Sequence, residues 1–298
     1  MGFDRLKRLE QHGLAHPPKW LEKNVHYGVI MGSVAYGASN DTSDMDVYGF
    51  AIPPVNMTFP HLAGEIPGFG TPLPKFEQYQ EHHIIDKEAK KEYDFSIYSI
   101  VKFFDLCMNN NPNMLSALNV PQRCVLTCTK IGQMVRDQRD LFLHKGSYHK
   151  FRGYAYSQLH KIKTGSNSSN PKRKADIEKN GFDTKFAYHI VRLALEAEQI
   201  LITHHLEVDK NGPLLRSIRD GEWSVEKIVE WFDEKEKQLE ALYTTSTLRH
   251  KPDEEALKVL LMNCLEEHYG NLSKAVVMPD RDTQILDDLK RLLEKYER

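Results

Sequence analysis

The spacing of hydrophobic positions changes character about two fifths of the way along the chain. In the first part, short apolar runs and alternating segments predict β-strands near residues 26–33, 44–52, 75–85 and 93–95. The last of these continues into a segment with helical periodicity. We therefore expect the first part to be a mixed sheet with flanking helices.

Beyond about residue 125, apolar residues recur every three or four positions, as they do on the buried face of a helix. The predicted helices cover residues 130–143, 148–163, 183–206, 222–243, 253–269 and 282–297. Two segments are rich in Pro, Gly, Ser or Asn and are predicted as surface loops, namely 53–75 and 165–174. The sequence thus predicts an α+β protein, with a sheet-bearing domain over 1–125 and a mainly helical domain over 126–298.

The composition is that of a globular protein, with 40% hydrophobic and 28% charged residues in a chain of 298. No window approaches the roughly 18 uninterrupted apolar residues of a membrane-spanning helix, and the N-terminus lacks the apolar core of a signal peptide. We therefore expect a cytoplasmic protein with no membrane partner. The four cysteines form no CxxC pair, which argues against a disulfide framework or a cysteine zinc site.

The most informative polar residues are Asp44 and Asp46, because positions i and i+2 of a strand face the same side. Holding two carboxylates this close is unfavourable unless a hard cation such as Mg²⁺ or Mn²⁺ bridges them. Asp94, in a further strand candidate, would complete a two-metal site for chemistry on a nucleoside triphosphate. Glu92 or Asp86 would take its place if the strand register shifted.

Gly32 and Ser33 follow a predicted strand and precede the aspartate pair. A glycine at this point lets the backbone approach a phosphate, and the amides of the following helical turn can donate to it. The Ser33 hydroxyl can add a further hydrogen bond. These two residues are therefore candidates for holding the phosphates of a nucleotide.

Two polar stripes stand out in the helical half, each with the spacing i, i+4, i+7 that places residues on one helix face. Such a stripe is usually a solvated surface. Here both stripes carry positive charge, which favours binding of phosphates or a base opposite the acidic site. The stripes are Tyr154, Gln158 and Lys161, and Lys185, His189 and Arg192.

The segment from Lys145 to Arg192 holds eleven Lys and Arg residues against three acidic ones, although the formal net charge of the whole chain is only -2. Tyr148, Tyr154 and Tyr156 are interleaved with these cations. Cations combined with aromatic rings suit a nucleic-acid backbone with stacked bases. The alternative interpretation of the basic residues near 171–174 is a solubilising surface turn.

Two other pairs are interpreted structurally. Asn111 and Pro112 are predicted to break a helix and shape its packing. The adjacent His82 and His83 are expected to face opposite sides of a strand, which makes them surface residues rather than metal ligands.

The segment GSVAYGASNDTSDMDVYGF, residues 32–50, resembles the signature of the DNA polymerase β-type nucleotidyltransferase superfamily. That signature is Gly-Ser, a short helix, and Asp-x-Asp in a strand. Within the superfamily, the chain is similar to predicted nucleotidyltransferases associated with RNA ligases in RNA repair gene clusters, which also occur in tailed phages. The similarity extends to YDFSIYSIVKFFDLCMNNNPNMLSAL, FRGYAYSQLHKIK and GFDTKFAYHIVRL, and so touches most of residues 25–195.

The resemblance implies that Asp44 and Asp46 hold two Mg²⁺ or Mn²⁺ ions, and that Asp94 is the third metal-binding carboxylate and activates the acceptor hydroxyl. It implies that Gly32 and Ser33 cradle the triphosphate. The implied activity is a nucleotidyltransferase of EC class 2.7.7, which moves a nucleoside monophosphate from a triphosphate to an acceptor hydroxyl and releases pyrophosphate. An RNA 3′ end is the implied acceptor. A protein side-chain hydroxyl as acceptor, and a non-catalytic nucleic-acid-binding module, are the alternatives.

Overall fold

The computed structural model describes residues 4–38, 44–59, 75–164 and 171–270. Within them, the strands are β1 (Val25–Ile30), β2 (Met45–Ala51), β3 (Gln78–Asp86), β4 (Lys91–Ser99) and β5 (Val125–Cys128). The helices of these residues are α1 (Asp4–Gln11), α2 (Leu21–Asn24), α3 (Val55–Thr58), α4 (Ile100–Met108), α5 (Pro112–Leu118), α6 (Lys130–Asp137), α7 (Gly146–Thr164), α8 (Pro171–Asn180), α9 (Thr184–Thr203), α10 (Gly212–Arg219), α11 (Val225–Thr245) and α12 (Glu254–Tyr269). The predicted α+β class is therefore confirmed.

The five strands form one sheet in the order β3-β4-β2-β1-β5. β2 and β4 run parallel, and every other neighbouring pair is antiparallel. The parallel register sets Asp46 directly beside Asp94. Strands that are far apart in sequence therefore meet at the centre of the sheet.

The two faces of the sheet are buried by different parts of the chain. One face packs against α1, with Leu6 and Leu9 in contact with a cluster that includes Val47 and Phe95. The other face, which includes Phe50, shares one continuous core with the helical half of the chain. Because side chains alternate along a strand, Asp46 lies on the same face as Phe50 and points toward the helices.

Helix α9 is the centre of the helical half, and α7, α10 and α11 pack against it. It begins at Asp183, whose side chain accepts a hydrogen bond from the Lys185 amide, and most of its residues are buried. It ends at His204, which adopts a left-handed conformation with φ of 57°. The first turns of α9 are the part that faces the sheet-side cavity described below.

Several sequence predictions are confirmed, and others are corrected. The strands predicted near 26–33, 44–52, 75–85 and 93–95 are β1 to β4. Asn111 breaks the helix as predicted, and its side chain accepts hydrogen bonds from the Asn113 and Met114 amides at the start of α5.

Strand β5 was missed, because its four residues are too short to show alternation. It spans the boundary predicted at 125/126 and pairs with β1. Residues 171–174 were predicted as part of a loop, but they begin α8. Proline is well suited to the first turn of a helix, because it has no amide hydrogen to satisfy there. The rest of the two predicted loops at 60–74 and 165–170, and the predicted helix 282–297, lie outside the described residues.

All four cysteines are unpaired, as the absence of a CxxC motif predicted. Cys107, Cys124 and Cys264 are buried, and burial raises the pKa of each thiol. They pack as small apolar side chains. A search of the described helices finds none with the length and hydrophobicity needed to cross a bilayer.

Gly49 in β2 marks a very close approach of β2 to β1. A Cβ atom built on Gly49 would lie 2.0 Å from the carbonyl oxygen of Tyr27 and 3.0 Å from the Cα of Gly28. Both are backbone atoms of a paired strand and cannot swing away. We expect Gly49→Ala to lower the free energy of unfolding by about 1–3 kcal/mol, measured by urea denaturation.

The matched control is Gly153→Ala in α7, where a Cβ meets no heavy atom within 4 Å. There alanine should raise the free energy of unfolding by up to about 1 kcal/mol, because alanine is favoured over glycine inside a helix. Equal effects of the two substitutions would contradict the packing described for β1 and β2.

Candidate active site

Three carboxylates line one side of a cavity of about 400 Å³ between the sheet and the helical half. Asp46 on β2 and Asp94 on β4 are direct neighbours in the parallel register. Asp44 immediately precedes β2, two residues before Asp46. The structure therefore brings together the three carboxylates that the sequence singled out.

The acidic side of the cavity is electrostatically unfavourable in the absence of cations. Burial raises the pKa of Asp46 to about 6, and the neighbouring negative charges of Asp94 and Asp44 act in the same direction. The positive charge of Lys185 opposes this shift only in part. Carboxylate oxygens are the ligands that Mg²⁺ and Mn²⁺ prefer, but in the described structure the oxygens of Asp44, Asp46 and Asp94 do not all lie within 4.8 Å of one another.

The turn after β1 is packed directly on the Asp46 carboxylate. The Met31 amide donates to the Asp46 carbonyl over 2.7 Å, and Gly32 adopts a left-handed φ of 68°. A Cβ atom on Gly32 would lie 2.2 Å from Oδ2 of Asp46. Glycine is therefore required here by both conformation and space. Ser33 follows in the same short 3₁₀ turn and also lines the cavity.

The opposite side of the cavity is cationic and comes from three consecutive helices. Lys185, His189 and Arg192 of the predicted α9 stripe line it. Two arginines that the sequence analysis did not assign to the site join them, Arg173 from α8 and Arg219 from α10. Arg173 lay within the segment of excess positive charge, whereas no pattern pointed to Arg219. The cavity therefore has an acidic wall (Asp44, Asp46 and Asp94) and a basic wall (Arg173, Lys185, Arg192 and Arg219).

Arg192 is buried, with only 4% of its surface exposed, and several contacts hold its side chain in place. Its guanidinium lies over the Tyr36 ring, 4.4 Å from the centroid, and also donates to the Tyr36 hydroxyl. Glu196, one turn further along α9, approaches Arg192 to 3.9 Å and accepts a hydrogen bond from the Ser116 hydroxyl over 3.3 Å. Tyr36 lies shortly after Gly32 and Ser33, the candidates for holding phosphates. Its contact with Arg192 therefore connects this turn to the basic wall.

His189 sits among the cations of the basic wall. Burial, together with the positive charges of Arg192, Lys185, Arg219 and Arg173, holds the pKa of His189 well below its usual value. The imidazole is therefore neutral at pH 7. It can donate and accept hydrogen bonds within a wall whose other groups are cationic.

The stripe predicted on α7 lies apart from this cavity. Among the described residues, the cavity lining does not include Tyr154, Gln158 or Lys161. Lys161 comes nearest, because its ammonium lies 5.4 Å from the centre of the Phe186 ring, and Arg173 of the basic wall packs on the same ring at 5.3 Å. The α7 stripe therefore adjoins the rim of the cavity.

The aromatic residues interleaved with the basic segment differ in availability. Tyr154 and Tyr156 are 42% and 40% exposed. Tyr148 is buried and stacks on Tyr243 at 5.0 Å, so the expectation that it stacks on a base is wrong. Helical periodicity places Tyr148 on the side of α7 that faces the hydrophobic core of the protein.

His82 and His83 are exposed, as predicted, but the expectation that they face opposite sides of the strand is corrected. A bulge in β3 between Glu81 and Ile84, with φ of 58° at His83, turns both histidines toward the side of the sheet on which Asp94 lies, and the His83 imidazole pairs with Glu92. The His83 amide donates to Oδ1 of Asp94 over 2.7 Å, and Nδ1 of His82 lies 3.7 Å from the same oxygen. Strict alternation fails here because the bulge adds one residue to the strand.

The two alternative third carboxylates occupy other positions. Asp86 is nearly buried, pairs with Arg8 of α1 and accepts a hydrogen bond from the Ala89 amide over 2.9 Å. Glu92 lies two residues before Asp94 and pairs with Nδ1 of His83 over 2.6 Å. Of the three residues, Asp94 is the one that lines the cavity.

Comparison with known proteins includes a family model that matches most of the chain. The model of the family described as the RNA repair pathway DNA polymerase beta family matches residues 2–263. No curated protein matches. Among solved structures, the chain is similar to a nucleotidyltransferase-like protein from Exiguobacterium sibiricum, with 10% identity and a TM-score of 0.29. That comparison covers 100% of this chain and 91% of the other.

The raised pKa of Asp46 predicts a specific pH dependence of stability. Its folded value of about 6 lies above the usual 3.8, so folding favours the protonated form and the wild type loses this stability as pH rises from about 4 to 6. We expect Asp46→Asn to raise the free energy of unfolding by about 1–3 kcal/mol at pH 7.5. The gain should be much smaller at pH 4.

Urea denaturation in EDTA at the two pH values measures this difference. Asp233→Asn, at an exposed position in α11, is the control and should change little at either pH. A gain from Asp46→Asn that is equal at both pH values would show that its carboxylate is not the source.

Proposed function

The chain belongs to the RNA repair pathway DNA polymerase beta family, and on this basis we propose that it is a metal-dependent nucleotidyltransferase of EC class 2.7.7. In this proposal it moves a nucleoside monophosphate from a triphosphate to the hydroxyl at an RNA 3′ end and releases pyrophosphate. The observation that carries the proposal is the opposition of an acidic and a basic wall across one cavity.

A cavity with an acidic and a basic wall suits a triphosphate together with bound cations better than it suits the triphosphate alone or the cations alone. A triphosphate placed against the acidic wall would be repelled by Asp44, Asp46 and Asp94 unless cations lay between them. On its other side, the phosphate oxygens would meet Arg173, Lys185, Arg192 and Arg219. Negative carboxylates, bound cations, negative phosphates and positive side chains would then follow one another across the cavity.

The residues of the acidic wall fit a pair of Mg²⁺ or Mn²⁺ ions. They offer carboxylate oxygens, and the raised pKa of Asp46 indicates that the protein's own groups compensate this charge only in part. Asp44 and Asp46 would hold both ions, and Asp94 would be the third carboxylate. When bound, such ions lower the pKa of an attacking hydroxyl and neutralise charge on the phosphates.

The remaining roles fall to the chain's own side chains. The acceptor oxygen forms a bond to the α-phosphorus while the bond to the bridging oxygen breaks and pyrophosphate leaves. Asp94 accepts the proton of the acceptor hydroxyl. The Gly32–Ser33 turn donates to the triphosphate, and the basic wall receives the charge of the leaving pyrophosphate.

An RNA acceptor is supported by charge and by exposed aromatic rings on α7. Residues 145–192 carry the excess of positive charge, Tyr154 and Tyr156 are exposed on α7, and Lys161 of the same helix lies near the rim. Such a surface can follow a phosphate backbone and stack bases. We therefore propose α7 as the acceptor-binding helix. We also propose that the helical domain, residues 126–298, supplies the basic wall and that the sheet-bearing domain, residues 1–125, supplies the acidic wall.

The proposal is tested by incubating the protein with each labelled nucleoside triphosphate, Mg²⁺ or Mn²⁺, and a pool of small RNAs. The Asp44→Asn/Asp46→Asn double variant runs in parallel. We expect label on RNA with the wild type and a loss of at least about 1000-fold in the double variant, because the ions lose two ligands. A denaturing gel measures the transfer.

The double variant should remain folded, which circular dichroism checks. Label on the protein instead of the RNA would favour a side-chain acceptor. Undiminished labelling by the double variant would refute the assignment of Asp44 and Asp46.

A second prediction concerns the contact between Gly32 and Asp46. Gly32→Ala should displace the Asp46 carboxylate and lower transfer by about 100-fold, because small displacements in a catalytic site are costly. Gly13→Ala is a matched control, since Gly13 has a similar φ of 66° but no heavy atom within 4 Å of a built Cβ.

Both variants carry the conformational cost of a left-handed alanine, about 1–2 kcal/mol. Only Gly32→Ala should impair transfer in the gel assay. Similar activity of the two variants would mean that the close approach to Asp46 does not matter for the reaction.

A further inference from the structure

A second group of possible metal ligands lies on β3 and β4 at the rim of the cavity. One ligand atom from each of His83, Glu92 and Asp94 lies within 4.8 Å of the other two. Nδ1 of His82 is 3.7 Å from Oδ1 of Asp94. This group differs from the acidic wall in that it contains imidazoles.

The geometry follows from the pairing of the two strands. Glu92 and Asp94 are at positions i and i+2 of β4, so their carboxylates share one face. Across from them, the bulge in β3 places the His82 imidazole near Asp94 and the His83 imidazole beside Glu92, while the His83 backbone amide donates to Asp94. A regular strand would present one histidine to each side of the sheet.

The ligand types determine which ion fits. Two imidazoles and two carboxylates form a mixed nitrogen and oxygen set, which suits Zn²⁺ and related transition metals, whereas Mg²⁺ favours oxygen ligands. The side chains of Glu92 and Asp94 are 30% and 25% exposed, and that of His83 is 79% exposed. An ion can therefore enter from solvent and keep water among its ligands.

The contact between His83 and Glu92 is compatible with the binding of an ion by both side chains. Nδ1 of His83 now pairs with Glu92 over 2.6 Å, and its exposed ring can turn to share that carboxylate with an ion.

We propose that His82, His83, Glu92 and Asp94 bind a transition-metal ion of the Zn²⁺ class at the rim of the cavity. Asp94 then belongs to this rim site and to the acidic wall. Occupation of the rim site would draw Asp94 away from the acidic wall and inhibit transfer. The inhibition rests on the proposed function, whereas the binding does not.

The test separates the rim site from the acidic wall. Asp44→Asn/Asp46→Asn removes two ligands of the wall and leaves all four ligands of the rim site. Isothermal titration of this double variant with Zn²⁺ should give one ion per chain, and Co²⁺ should give visible absorption bands of nitrogen-ligated cobalt. Titration with Mg²⁺ should show no comparable binding.

Adding His83→Ala and Glu92→Gln to the double variant should weaken Zn²⁺ binding by about 100-fold or more. Loss of a direct ligand should cost at least the 10–100-fold that loss of an outer partner costs. His160→Ala, at an exposed position on α7, controls for adventitious binding by histidine and should leave the affinity unchanged. Circular dichroism verifies that each variant is folded.

The proposal is overturned if the double variant binds no Zn²⁺, or if His83→Ala/Glu92→Gln leaves its affinity unchanged. In an otherwise wild-type chain, Zn²⁺ should inhibit transfer, and the His83→Ala/Glu92→Gln pair should raise the concentration required. If transfer is absent altogether, the proposed function fails, and the binding experiment still decides the rim site.

Discussion

The parallel pairing of β2 with β4 is the constraint on which the candidate site depends. It sets Asp46 beside Asp94 and, with Asp44, concentrates three carboxylates at the edge of a partly buried cavity. Such an arrangement opposes folding, because burial and like charges both disfavour the ionised forms. The basic wall supplied by α8, α9 and α10 offsets this only in part. The fold therefore leaves part of the negative charge of the acidic wall uncompensated by the chain's own cations.

Much of this arrangement was readable from short-range periodicity. The period of two placed Asp44 and Asp46 on one face, and the period of 3.6 placed Lys185, His189 and Arg192 on one face of α9. The α9 pattern survives because that helix is long and regular, whereas Asp44 lies just before β2 and still lines the cavity. The need for glycine at position 32 also has a local origin, in its left-handed φ and its contact with Asp46.

The features that the sequence did not predict depend on contacts between distant segments or on irregular backbone. Arg219 lies on a short helix that gave no strong pattern, and only tertiary packing brings it to the cavity. The bulge at His83 adds one residue to β3 and reverses what alternation predicts. The α7 stripe of Tyr154, Gln158 and Lys161 has the same spacing as the α9 stripe, yet it flanks the cavity. Spacing identifies a face but not its neighbour.

The pairing of β2 with β4 also bears on how the chain folds. Asp46 and Asp94 are separated by 48 residues in sequence, and the basic wall extends to Arg219. Contacts at such separation close large loops, and chains rich in them fold slowly. The two walls of the cavity thus come together only when most of the described chain has folded. A nucleotide that bridges them would bind the native state and stabilise the sheet and the helices as one cooperative unit.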